Sequence, residues 1–538
     1  MSAGQLTLLD CTLRDGGYYN NWDFDLDLVE RYLQSMVSSG VDIVELGFRF
    51  TFANKAKFLG PYAYTTDRFL NQIHVPEGLI LGVMVNAADY LKAPEGDVAA
   101  IRNFFAPKVE SKVQLVRIAA HVAEVATCGG LVSTLHELGY RVGFNIMQSN
   151  SCTDEKLAEL VRAIRGFEHV EVLYFADSLG NMDDAETLRI IQTLRLEWDG
   201  PLGFHGHDNM GKALGNTMTA LSNGVSWLDA TVTGMGRGAG NTQMEYLLVE
   251  IEKNSHKSVN PAQVIDLACN DFEAMKKHYG WGMNVFYYLG AQHKVHPTYV
   301  QDMLAQGIFS PNDVVTLIDL LGENTGASYK SQGVANLMTA RFQRAEGSWS
   351  SRQLFENRPV LIVAGGPSAH RHWTAIENYI QENKPIVISL NLLDFVPLNL
   401  LSAIAVCHPG RLVPLMNNSI GVPLITPIQS LPSTITNSLS SSTIYDYGMQ
   451  VDPTRMVPQD TGCIVSDALV APYAICAALA GGATKIELVG FDGFDGRDER
   501  FHKVNDVFAM LLKVAGNTPI HSLTLTHYDI PQRSIYSF

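Results

Sequence analysis

An α/β chain whose N-terminal part is a (β/α)8 TIM barrel with a helical extension is predicted by three observations. Eight runs rich in Val, Ile and Leu alternate with amphipathic helical stretches. Hydrophobicity within those runs is continuous rather than alternating, as strands covered on both faces require. The chain, at 538 residues, exceeds what one hydrophobic core supports, so a second domain is expected. In order, the runs are LTLLD (6–10), DIVELGF (42–48), LILGVMV (79–85), VQLVRIA (113–119), RVGFNIM (141–147), VEVLYFA (170–176), PLGFHGH (201–207) and WLDATVT (227–233), giving a barrel over residues 1–258. A doubly wound open sheet explains the alternation equally well; the strand count and the site below favour closure. From 259 to 342 the pattern turns helical, with PAQVIDLACNDFEAMKKHYG and SPNDVVTLIDLL, and is read as the extension. The stretch 343–358, poor in apolar residues and followed by Pro359, is read as a linker. A second α/β unit, 359–538, follows with PVLIVAGGPSAH, PIVISLNL, AIAVCHP and KIELVGFDGFDG.

Composition narrows the partners. The net charge of −16 comes without a Lys/Arg-dense stretch, which argues against a reader of nucleic-acid backbones. Seven cysteines without a CxxC pair suggest neither a disulfide framework nor a thiolate zinc site, in keeping with a reducing compartment. No run reaches membrane-spanning length and the N-terminus has no signal-peptide pattern, so a cytoplasmic protein without a membrane span is expected.

HGHDN (205–209) holds the chemistry. Strand side chains alternate, so His205 and His207 share a face and can share one ligand. They end the seventh predicted strand, and barrels gather function at the C-terminal ends of their strands. The first strand ends in DCTLRDG, delivering Arg14 and Asp15 to the same rim, with only the eighth strand between. A carboxylate and two imidazoles can converge there on one divalent ion with open positions: manganese or magnesium first, cobalt or zinc as alternatives. In TGMGRGAGN (233–241) four glycines let the backbone close around a ligand, and Asn241 offers an oxygen. Glu45, an acid in an apolar strand, is placed to hold Arg14.

TLRDG, GFHGHDNMGKALGNTMTAL and DATVTGMGRGAGNTQMEYLL resemble, over about residues 5–300, the metal-dependent barrel superfamily of 4-hydroxy-2-oxovalerate aldolase, HMG-CoA lyase and isopropylmalate synthase. The resemblance implies that Asp15, His205 and His207 bind the metal with Asn241 as a fourth ligand. It implies that Arg14 binds the carboxylate and enolate oxygen of a 2-oxo acid, that Ser178 in FADSLGNM lines the pocket, and that Arg14, Asp15 and Glu45 form the family's characteristic trio. The loop GMGRGAGN looks most like the pyruvate aldolases, so the implied function is a carbon–carbon lyase joining pyruvate and an aldehyde or cleaving their product. RDGEQ, the signature of the condensing synthases, is replaced by RDGGY, and the cysteine-bearing loop of the acyl-CoA lyases is absent. Where the aldolases carry a histidine as base, Tyr18 stands. The available proton carriers are Tyr18, His121 in VRIAAH, and Tyr287 or Tyr288. Claisen-type acyl-CoA chemistry on the same metal, or an inactive barrel serving a C-terminal transferase or binding domain, are the competing readings.

VLIVAGGPSAH and the segment 461–496 resemble the Rossmann-like domains of CMP-sugar-using sialyltransferases and of pterin-pyrophosphokinase-like proteins. That similarity implies a nucleotide or nucleotide-sugar pocket lined by Gly366, Pro367, Ser368 and Asn391, with Thr461, Gly462 and Asp492 near the reacting groups. By analogy the aldehyde is sugar-derived and the pathway one of surface-polysaccharide building, in a homo-oligomeric enzyme.

Overall fold

The computed structural model describes residues 6–51, 58–306, 311–323, 326, 329, 343–412, 415, 421–431, 436, 437, 439, 442–494 and 499–537. Two compact units comprise residues 1–306 with 321–329, and residues 307–320 with 330–538. Among the described residues no helix is long and apolar enough to cross a membrane.

In the first unit eight parallel strands close into a barrel. They are β1 (Thr7–Asp10), β2 (Ile43–Phe48), β3 (Ile80–Asn86), β4 (Val113–Ala120), β5 (Arg141–Ile146), β6 (Val170–Asp177), β7 (Leu202–Gly206) and β8 (Trp227–Ala230). β8 returns to β1, with Asp229 opposite Leu9 and Ala230 opposite Asp10. All eight predicted runs are therefore strands, and the open-sheet alternative is excluded. Continuous apolarity follows from double burial. One face packs on the ring of helices; the other fills the interior with Leu9, Ile43, Leu115, Val172, Tyr174 and Trp227.

The outer helices bury one stripe each. In Asp154–Arg165 that stripe is Leu157, Leu160, Val161 and Ile164, and Thr153 caps the helix by accepting from Lys156 N. The extension continues helically through Ala262–Leu267, Glu273–Tyr279, Val285–Gln292, Pro297–Gln306 and Pro311–Glu323. Its expected end at 330–342 lies outside the described residues.

Asp10, closing β1, is fully buried. Burial pushes its carboxyl up to about 7, against Thr12 N–H at 2.7 Å and Tyr32 O–H at 2.5 Å, which both favour the anion. Asp177, also buried, is pushed up to about 7 for the same reason. A carboxyl raised in the folded state stabilises fully below its unfolded value, and that contribution is lost as pH rises through the folded value, here between about 4 and 7. Its ceiling is about 4 kcal/mol. Urea denaturation at pH 4.5, 5.5 and 6.5, roughly spanning this window, is expected to show stability falling with pH less steeply in Asp10→Asn than in the wild type.

The second unit holds a parallel seven-stranded sheet and a small four-stranded one. Along the chain the strands are β9 (Gln343–Arg344), β10 (Pro359–Val363), β11 (Ile386–Leu390), β12 (Ala403–Ala405), β13 (Leu424–Thr426), β14 (Ile444–Asp446), β15 (Gly448–Val451), β16 (Val457–Gln459), β17 (Gly462–Val465), β18 (Lys485–Val489) and β19 (Ile520–Ser522). The large sheet runs β14-β13-β12-β11-β10-β18-β19, so its winding reverses between β10 and β18. The small sheet runs β16-β17-β15-β9. Helix Val470–Ala480, apolar all round, packs against strands of both sheets, which is why it has no polar face.

The stretch 343–358 is not a linker. Gln343 and Arg344 pair with β15, Trp349 stacks on Tyr445 at 4.5 Å, and Phe355 is fully buried in the core of this unit. Two aromatic anchors outweigh its polar composition.

Candidate metal centre

RDGG is helical. β1 leads into helix Thr12–Asn20, whose first turn carries Arg14 and Asp15 to the C-terminal mouth of the barrel. Gly17 is required because a Cβ there would lie 2.1 Å from the Trp22 ring, and Trp22 Nε1–H donates to the Arg14 carbonyl at 2.8 Å.

Asp15, His205 and His207 converge, with ligand atoms within 4.8 Å of one another. All three are buried, and each histidine Nε2 lies 3.6 Å from Asp15 Oδ2. That spacing is too long for a hydrogen bond. Each imidazole is oriented from behind through Nδ1: His205 to Asp229 Oδ2 at 3.0 Å, His207 to the Asp177 carbonyl at 2.8 Å. Both partners are acceptors, so Nδ1 carries the proton and, in the neutral ring, Nε2 carries the lone pair. Both Nε2 atoms are buried without a partner.

Asn241 donates through Nδ2 to Asp15 Oδ2 at 2.6 Å, and its Oδ1 is a third buried atom with no partner. One carboxylate, two oriented imidazoles and an amide oxygen fit a divalent cation. Burial opposes charge on Asp15, yet the Arg14 guanidinium and the two imidazoles hold its carboxyl well below the usual range. Burial and the neighbouring His205 push His207 down to about 3, keeping it neutral and able to ligate. His205 is raised: burial lowers it, but the carboxylates of Asp15 and Asp229 prevail.

Cys11, His205 and Asp229 also cluster. Burial raises the Cys11 thiol well above its ordinary value, and Asp229 is already paired with Arg117 at 2.7 Å. This second group therefore supports His205 rather than binding an ion.

Behind the ligands lies a buried ionic relay. Arg14 Nε donates to Glu45 at 2.7 Å; Arg117 donates to Glu45 at 2.6 and 2.8 Å and to Asp229 at 2.7 Å. Glu45 thus holds Arg14 as expected, while Arg117 and Asp229 were missed. Their signal was a charge inside an otherwise apolar strand, as at Glu45.

The loop after β8 closes through its glycines. Gly240 has φ +85°, and a Cβ there would lie 1.9 Å from the Gly234 carbonyl. Ser178 is buried just beyond β6, its Oγ accepting from Gln148 N at 3.0 Å. Tyr18 packs edge-on against Trp22, with the Arg237 guanidinium 5.1 Å from its ring centre. His121 is exposed at the end of β4. Tyr287 is buried, whereas Tyr288 is 44% exposed and hydrogen-bonds none of the metal-binding candidates among the described residues.

His296, from the extension, was missed. Its Nδ1 accepts from Thr298 N at 3.3 Å, and burial, then the nearby Arg237, His207 and His121, push it down to about 2, so it is neutral.

In the second unit, Gly366 and Ser368 lie at the winding reversal. Gly366 N–H donates to the Gly490 carbonyl at 3.1 Å, and Ser368 N–H and Oγ bind Asp492 at 2.9 and 2.7 Å. Pro367 opens the short helix between them. Asn391, after β11, has φ +64° and a buried Oδ1 without a partner. Thr461 belongs to the other sheet: it lies between β16 and β17, its carbonyl accepting from Gly347 N and Gly448 N at 2.8 and 2.9 Å.

A family model described as HMGL-like matches residues 5–268. 4-Hydroxy-2-oxovalerate aldolase of Pelotomaculum thermopropionicum is 28% identical over 269 residues, 50% of this chain and 76% of that protein. Oxaloacetate decarboxylase of Mycobacterium tuberculosis is 27% identical over 266 residues, 49% of this chain and 75% of that protein. The crystal structure of the N-terminal domain of a candidate aldolase from Bacteroides vulgatus matches with a TM-score of 0.51 at 30% identity, covering 58% of this chain and 99% of that one.

Proposed function

The chain belongs, through residues 5–268, to the HMGL-like family and is a carbon–carbon lyase, and from that premise we propose a divalent-metal-dependent aldolase that uses pyruvate or a similar 2-oxo acid as enolate donor and an aldehyde as acceptor. The observation that carries this reading is the convergence of Asp15, His205 and His207, with the Nε2 atoms of both histidines and the Asn241 Oδ1 buried and unpartnered. Manganese or magnesium fits the mixed oxygen and nitrogen set. When bound, the ion supplies Lewis acidity toward the carbonyl oxygen of the 2-oxo acid.

The residues supply the rest. Arg14, fixed by Glu45 and Asp15, keeps Nη2 buried and unpaired, a donor for the donor's carboxylate or enolate oxygen. Asp229 and the Asp177 carbonyl fix both imidazoles before substrate arrives. Tyr18, three residues after Asp15 on the same helix, handles the proton at the aldol hydroxyl. Ser178 lines the donor pocket.

Pyruvate in deuterium oxide without aldehyde is the direct test. Manganese-loaded protein should exchange the methyl protons, exhaustive chelation should stop exchange, and manganese should restore it. Exchange indifferent to chelation refutes the reading.

For the second unit we propose a nucleotide or nucleotide-sugar pocket at the reversal between β10 and β18, where open α/β sheets bind ligands. The unpartnered Asn391 amide oxygen on left-handed backbone supports it, as do Gly366, Pro367 and Ser368 in the turn after β10. On that reading the aldehyde is sugar-derived and the setting is surface-polysaccharide synthesis.

A further inference from the structure

Among the described residues Arg237 is a cation without a counterion. Its Nε is buried with no hydrogen-bond partner, and among the described residues no carboxylate pairs with it. The buried arginines of this unit are paired: Arg14 with Asp15 and Glu45, Arg117 with Glu45 and Asp229, and Arg49 with Asp67. A partly dehydrated guanidinium costs stability unless an anion meets it.

Its position is built. Arg237 sits between Gly236 and Gly238 in the loop that delivers Asn241 to the metal centre. The Gly238 carbonyl accepts from Tyr19 O–H at 2.7 Å, and Gly238 N–H donates to Gln301 Oε1 at 3.1 Å. On the other side, a Cβ at Gly236 would lie 2.6 Å from Asn241 Nδ2, so the loop is closed there too. The guanidinium lies over the Tyr18 ring, its carbon 5.1 Å from the centre, which occupies one face and leaves the N–H edges free. Its charge also bears on His207 and His296. Arg14 serves the donor from the Glu45 side, whereas Arg237 stands by the hydroxyl assigned to the aldol proton. On the aldolase reading the two cations would serve the two halves of the product.

We propose that Arg237 recognises the acceptor: its guanidinium pairs with an anionic group, carboxylate or phosphate, carried by the aldehyde that the donor carbon attacks. This rests on the aldolase reading above. A fork of N–H donors suits either anion bidentately, which a lysine does not reproduce.

The test compares full-length manganese-loaded protein with pyruvate and three aldehydes: propanal, succinic semialdehyde and glyceraldehyde 3-phosphate. Wild type should use at least one anionic aldehyde with kcat/KM on the order of 100-fold above propanal, and the preferred anion tells carboxylate from phosphate. In Arg237→Gln that ratio should fall to within about threefold of unity, while Arg237→Lys should keep an intermediate ratio. Because the readout is a ratio within each variant, a general loss of activity does not mimic it. Equal use of neutral and charged aldehydes by a wild type that exchanges pyruvate protons overturns the assignment alone, as does an unchanged ratio in Arg237→Gln. A wild type that exchanges no pyruvate protons overturns the aldolase reading and this inference with it.

Discussion

Asp15→Asn is expected to lower manganese-dependent exchange of pyruvate methyl protons by on the order of 10³-fold while leaving the circular dichroism spectrum unchanged. Asp15 is the single anion among the ligand candidates, and both histidine Nε2 atoms and Asn241 converge on it. Asparagine keeps the volume but removes one of the two charges that offset Arg14, so a cation placed there would lose its anionic ligand and meet a guanidinium left with Glu45 alone. Equilibrium dialysis with manganese should show the same loss as the exchange assay. Tight manganese binding by Asp15→Asn would locate the ion elsewhere.

Arg117→Met is expected to destabilise the first unit by about 3–5 kcal/mol, the usual cost of breaking a buried ion pair from one side. Arg117 is fully buried and joins Glu45 to Asp229 across the barrel interior, stacked 4.5 Å over Tyr174. Methionine fills much of the space and leaves both carboxylates short of a cation. Glu45 keeps Arg14 and Asp229 keeps His205, so the relay is strained rather than dissolved. Urea denaturation reads the stability, and a change under about 1 kcal/mol would show the network to be dispensable. Manganese affinity in the folded variant should fall about 10- to 100-fold, because Asp229 orients His205 from behind.

The barrel was legible because each strand is buried on both faces, which leaves an uninterrupted apolar run. The ligand candidates were legible because two short motifs, RDG and HGH, fall at strand ends that closure brings together. Arg117 and Asp229 escaped notice for the opposite reason. Each is one charge within a run whose apolar neighbours define the strand, and its partners are dozens of residues away. His296 and the pairing state of Arg237 depend on how the extension folds back to the mouth, which no local pattern encodes. The segment 343–358 was misread because two buried aromatics, Trp349 and Phe355, count for little in an average over polar neighbours. The four-stranded sheet was missed too, its strands being only two to four residues long.

Gln301, whose side-chain oxygen accepts from Gly238 N–H, ties the late helices to the rim of the ring. On the proposed aldolase reading labour would be divided: strand ends would generate the reactive carbon, and an appendage would set the shape offered to whatever that carbon attacks. Exchanging the stretch 285–306 between relatives should consequently transplant taste for the second reactant while sparing the first half-reaction.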